Sequence, residues 1–127
     1  MIVVDASIVL PWFFADEPDT SAIAERVMRE SAIVPSLFFL EIGNALLQAQ
    51  KAGRIPKDAP FAALEHLEQL PILIEPTSNA LAVTHLAAKY DLTTYDAAYL
   101  ELALRLDIPL LTADQQLKRA GEATKAL

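Results

Sequence analysis

The chain has 127 residues, no cysteine and a formal net charge of −7. That length suits one compact domain, and a hydrophobic content of 54% provides a core without disulfides. The lack of cysteine excludes disulfide bonds, thiolate zinc sites and cysteine nucleophiles, while the acidic charge argues against a protein that binds nucleic acid through a basic surface. We therefore expect one domain over residues 1–127, with no signal peptide or membrane span, located in the cytoplasm.

Strand and helix patterns alternate along the chain. Short apolar runs predict buried strands, and apolar residues three or four apart predict helices. In chain order, the predicted elements are a strand at 2–5, a helix at 7–14, a turn at 16–19, a helix at 20–29, a strand at 32–34, helices at 36–52 and 57–69, a strand at 72–74, helices at 78–89 and 93–106, a strand at 108–112, a short helix at 114–119 and an edge strand at 123–127.

Local signals refine this pattern. Pro11 lies within the first predicted helix, where we expect a kink. Ser36 is expected to cap the long helix and Gly53 to end it. Strands that alternate with helices predict right-handed crossovers and a mostly parallel sheet covered on both faces, which is an α/β fold.

Four acidic residues fall near the points where strands give way to helices. Asp5 ends the first strand, Asp96 opens a helix and Asp114 follows the fourth strand. Glu41 interrupts an apolar stretch of the long helix. Ligands of parallel sheets bind beyond the carboxyl ends of the strands, so these side chains can converge there. Crowded carboxylates repel each other, and Mg²⁺ or Mn²⁺ relieves that repulsion, so the pattern predicts a metal site that activates water against a phosphodiester.

Each of the four also has a structural explanation. Asp96 and Asp114 could simply start helices, where the helix dipole favours negative charge. Asp5 could cap the helix that follows it. Glu41 could lie on the solvated face of its helix. From spacing alone, the metal site and these structural roles are about equally supported.

Four short runs resemble PIN-domain proteins of the VapC-type toxin ribonuclease family, and the resemblance covers essentially the whole chain. The runs are VDAS at 4–7, EIGN at 41–44, LTTYDAAY at 92–99 and LTAD at 111–114. The resemblance implies that the four carboxylates bind one or two Mg²⁺ or Mn²⁺ ions, and it adds accessory polar positions at Ser7, Asn44 and Thr94. It also implies a three-layer α/β/α sandwich, endoribonuclease activity, a homodimer, and inhibition by a cognate antitoxin that often carries a DNA-binding part.

Three other functions stay open beside this leading one. A phosphatase of the haloacid-dehalogenase kind needs a second aspartate two residues after Asp5, and Ser7 stands there. A magnesium-binding receiver domain needs an aspartate at the end of the third strand and a lysine after a later strand, and the third strand ends in Glu75. The last alternative is a PIN-fold protein that binds a partner and has little nuclease activity.

Overall fold

A four-stranded parallel sheet forms the centre of the computed structural model, which describes residues 1–14, 21–76 and 79–126. The sheet order is β3-β2-β1-β4. Its strands are β1 (Ile2–Val4), β2 (Ala32–Pro35), β3 (Ile72–Glu75) and β4 (Leu110–Leu111). Because all four run in the same direction, their carboxyl ends lie along one edge of the sheet.

Helices cover both faces of this sheet. Within the described ranges the α-helices are α1 (Ala6–Val9), α2 (Ser21–Glu30), α3 (Phe38–Lys51), α4 (Ala59–Glu68), α5 (Ala80–Tyr90), α6 (Thr94–Leu106) and α7 (Gln115–Thr124). Helix α6 contacts β1, β2 and β4, and α5 packs against α6. Consecutive residues of a strand point to opposite faces, yet every residue of β1 is fully buried. The predicted three-layer α/β/α sandwich is confirmed.

Two of the local signals behave as expected. The chain changes from α-helix to a 3₁₀-helix at Leu10–Phe13, with Pro11 in the first turn of the 3₁₀-helix, where a missing N–H is tolerated. Helix α3 ends before Gly53, whose φ of +77° is a left-handed conformation that glycine adopts without strain. None of the described helices is long and apolar enough to cross a membrane.

Three predictions of local structure are wrong. Ser36 does not cap α3, which begins at Phe38 after a turn and has Leu37 at its N-cap without a side-chain bond. The fourth strand is shorter than 108–112. The edge strand at 123–127 is absent from the described residues, since α7 continues to Thr124 through helix-forming alanines and a glutamate. The predicted turn at 16–19 lies outside the described residues.

Candidate active site

Asp5 stands at the carboxyl end of β1 and is only 4% exposed. Its Oδ1 accepts a hydrogen bond from Ser7 Oγ at 2.6 Å, and its Oδ2 accepts one from Thr112 Oγ1 at 2.6 Å. Asp5 occupies the N-cap position of α1, but its side chain makes no capping bond. The carboxylate therefore does not cap α1, and it joins Ser7 of that helix to Thr112 in the chain segment after β4.

The two hydroxyls that hold Asp5 also tie the ends of β1 and β4 together. Ser7 Oγ accepts from the backbone N–H of Ala113 at 2.9 Å, and Thr112 Oγ1 accepts from that of Asp114 at 3.0 Å. Each hydroxyl thus donates to the carboxylate and accepts from the backbone after β4. This network fixes Asp5 relative to the start of the segment that carries Asp114.

Asp114 does start a helix, as its structural explanation required. Its Oδ1 accepts from the backbone N–H of Leu117 at 2.9 Å and so caps α7. Asp96 differs, because Thr93 is the N-cap of α6 and its Oγ1 accepts from the Asp96 N–H at 3.1 Å. Asp96 lies in the first turn of α6, where the positive end of the helix dipole favours a carboxylate.

Glu41 lies in the first turn of α3 and is turned toward α6. Its Oε1 accepts a hydrogen bond from the hydroxyl of Tyr99, whose side chain is 1% exposed. Glu41 is itself only partly exposed. Glu41 is therefore partly solvated, with one of its carboxylate oxygens bonded to a side chain of α6.

Burial and neighbouring negative charges shift the pKa values of the carboxylates. Burial raises the pKa of Asp5 above its ordinary value, and the charge of Asp96 adds to the rise against the opposing bonds from Ser7 and Thr112. Burial also raises the pKa of Asp96, with a contribution from Asp114.

The remaining carboxylate belongs to the same electrostatic group. Burial raises the pKa of Glu41 most, the hydrogen bond from Tyr99 opposes the rise, and the charges of Asp96 and Asp5 add to it. Asp96 is thus the carboxylate that interacts with each of the other three. Such repulsion among partly desolvated carboxylates is relieved by a cation.

The donor set fits a hard divalent cation in its chemistry, because it consists of carboxylate oxygens. The carboxylates are farther apart than the ligands of an occupied metal site. Over residues 1–14, 21–76 and 79–126, no three acidic or histidine side chains are grouped closely enough to hold one ion. Asp5 has both oxygens engaged by hydroxyls, and Asp114 has one engaged by α7. A cation would have to draw these side chains closer together.

The accessory positions have different outcomes. Ser7 lies against Asp5, as predicted. Asn44 and Thr94 are exposed, and in the described part of the chain neither hydrogen-bonds to one of the four carboxylates. Sequence reasoning missed Thr112 and Tyr99 as partners of the carboxylates. Only Tyr99 had a readable signal, because it follows Asp96 by three residues on one helix and so shares its face.

Thr112 gives a direct test of the network at Asp5. Thr112→Val keeps the shape but removes the donor to Oδ2 of the buried Asp5 carboxylate, so the free energy of unfolding should fall by about 1.5–3 kcal/mol. Thr112→Ser keeps the hydroxyl and should lose less. Urea unfolding measures both. Thr84→Val is the matched control, since the exposed Thr84 hydroxyl bonds only to its own helix. A valine variant that loses no more stability than the serine variant would contradict a stabilising role for the hydroxyl.

Comparison with known proteins identifies the family of this chain and agrees with its fold. The PIN domain family pattern matches residues 2–123 of this chain. The chain is 33% identical to Ribonuclease VapC3 of Mycobacterium tuberculosis over 126 residues, which is 99% of this chain and 91% of that protein. It is 34% identical to Ribonuclease VapC1 of the same species over 122 residues, covering 93% and 89%. The chain therefore belongs to the PIN-domain family, among the VapC-type proteins.

A solved structure has the same architecture. PAE2754 from Pyrobaculum aerophilum superposes with a TM-score of 0.76 at 24% identity, covering 94% of this chain and 83% of that one. At that identity the likeness supports the fold alone. The fold match extends over nearly the whole chain.

Proposed function

We propose that this protein is a Mg²⁺- or Mn²⁺-dependent endoribonuclease and the toxin of a type II toxin–antitoxin pair. The observation that carries the proposal is the set of four carboxylates near the carboxyl edge of a parallel sheet, in which Asp96 interacts electrostatically with each of the other three. Relatives of about one-third identity over nearly the whole chain are named ribonucleases, which supports RNA as the substrate.

The carboxylates would divide the work. Asp5, Asp96 and Asp114 would hold the cation, with Glu41 as a further ligand or as the base beside the attacking water. When bound, the cation supplies positive charge for the phosphate oxygens and lowers the pKa of a bound water. Glu41 suits a base because its raised pKa makes it a better proton acceptor than an ordinary carboxylate. Ser7 and Thr112 orient Asp5 throughout.

The proposed ribonuclease and toxin functions imply two partners, an RNA substrate and an antitoxin. RNA would be cleaved by addition of water across a phosphodiester, and a cognate antitoxin with its own DNA-binding part would block the cleft. The net charge of −7 favours a basic segment in such an antitoxin. We also propose a cytoplasmic homodimer as the working form.

A second candidate is a PIN-fold protein that chiefly binds its partner and cleaves RNA poorly. The looseness of the carboxylate group within the described residues favours it. A growth assay distinguishes the ribonuclease toxin from the partner-binding protein when it includes variants without the carboxylates. The assay measures growth arrest on expression and its relief by coexpression of a neighbouring open reading frame. A toxin that acts by cleavage loses growth arrest with the carboxylates, whereas a binder keeps it.

Removal of the cation tests the leading proposal. Purified protein with structured RNA should cleave in Mn²⁺ or Mg²⁺, and excess chelator should reduce cleavage to background because the carboxylates alone cannot offset the phosphate charge. Gel electrophoresis of labelled RNA measures the products. Cleavage should return when the metal is added back. Activity that persists in chelator, or in the double variant Asp5→Asn and Asp96→Asn, would rule out this mechanism.

A further inference from the structure

Tyr99 places a polar group where an apolar ring would fill the same space. It heads the fully buried side chains by volume among the described residues. Its hydroxyl donates to Glu41 Oε1, across 58 residues of sequence. A buried hydroxyl without a partner is costly, so this bond accounts for tyrosine rather than phenylalanine at the position.

Helix α6 acts on Glu41 in two opposite ways. Asp96 repels the Glu41 carboxylate, and Tyr99, three residues later on the same face, holds it by a hydrogen bond. Burial raises the pKa of Tyr99, so the phenol stays protonated and remains a donor. Without the hydroxyl, the partly exposed Glu41 would be free to turn toward solvent and away from Asp96.

We propose that Tyr99 is a positioning residue that holds Glu41 Oε1 against α6 and leaves Oε2 as the oxygen that serves the cation or the attacking water. The inference rests on the proposed function, because it assigns a purpose to the orientation of Glu41. Tyr99 is buried and cannot touch RNA. Its hydroxyl therefore acts on the reaction through Glu41, to which it donates a hydrogen bond.

Removing the hydroxyl tests this role. Tyr99→Phe should weaken Mn²⁺ binding by roughly 10-fold, the lower end of what loss of a supporting hydrogen bond costs at metal sites. Isothermal titration calorimetry on the full chain measures it. The maximal rate of RNA cleavage should fall while the KM for RNA stays unchanged. Tyr90→Phe is the matched control, since it removes a phenol hydroxyl at the end of α5.

A second variant separates positioning from mere structure. In a Glu41→Ala background, which removes the acceptor of the Tyr99 hydroxyl, Tyr99→Phe should cause no further loss of Mn²⁺ affinity, because the side chain through which Tyr99 acts is gone. An additional loss as large as in the wild type would overturn the inference, and so would Tyr99→Phe binding within twofold of wild type. If the wild type itself binds no Mn²⁺ and cleaves no RNA, the proposed function fails and takes this inference with it.

A measurement that keeps the hydroxyl covers the case in which Tyr99→Phe does not fold. Protein that carries 3-fluorotyrosine at position 99 reports the surroundings of the phenol through its ¹⁹F resonance. Saturating Mg²⁺ should shift that resonance, and Glu41→Gln should remove most of the shift. A resonance that ignores Mg²⁺, or that shifts equally in the Glu41→Gln protein, would overturn the inference.

Discussion

Replacing Asp96 with asparagine is expected to abolish RNA cleavage while it makes the cation-free protein more stable. Asp96 interacts with each of the other three carboxylates, so its loss weakens both the cation site and the repulsion within it. Several kcal/mol of transition-state stabilisation would be lost, or roughly 10³-fold in rate. Because Asp96 is partly exposed and its charge is screened, the gain in stability should be limited to about 1 kcal/mol.

The opposite signs make this variant informative. A residue needed only for folding would lose activity and stability together. Cleavage rates and urea unfolding in chelator measure the two effects on the same preparation. Asp107→Asn is the matched control, because Asp107 is the C-cap of the same helix and lies ~16 Å from Asp96 at 1.5 Å per residue. The control should retain wild-type cleavage. A destabilised Asp96→Asn protein in chelator would argue that the carboxylate has a structural role.

The positions of Asp5, Asp96 and Asp114 follow from sequence because each depends on a local rule. A polar residue that follows a buried strand lies at the carboxyl edge of the sheet, and this rule alone predicts the location of Asp5 and Asp114. Asp96 follows from the start of an amphipathic helix. The parallel order of the strands then brings these separate positions to one side of the molecule.

The partners of the carboxylates do not follow in the same way. Thr112 reaches Asp5 across 107 residues, and Tyr99 reaches Glu41 across 58. These bonds depend on the pairing of β4 with β1 and on the placement of α6 relative to α3, and a single sequence specifies neither. Asn44 was assigned by motif position, and its exposed side chain makes no bond to the carboxylates in the described structure. Packing distance, rather than motif order, decides which polar residues support the site.

The stability of the cation-free protein should rise as the pH falls from neutral toward about 4. Asp5, Glu41 and Asp96 all have pKa values raised above their ordinary ones in the folded state. The folded state therefore holds more protons than the unfolded state in this window. The contribution of these three carboxyl groups to stability is fully present below their unfolded-state pKa values, near 3.9 for Asp and 4.3 for Glu. It is lost as the pH rises through their raised folded-state pKa values.

The cation should reverse this pH dependence. At neutral pH it binds the folded state alone, and at 100 times its dissociation constant it adds about 2.7 kcal/mol, a gain that fades in acid as the carboxylates protonate. Urea unfolding over roughly pH 4.5–7.5 measures both pH dependences, once in chelator and once in Mn²⁺. The net charge of −7 also falls in acid, so a general loss of repulsion would give a similar slope. Asp96→Asn and Asp107→Asn remove equal charge, and only the first should flatten the slope in chelator. Equal slopes in the two variants would assign the effect to net charge and leave the cleft without a special role.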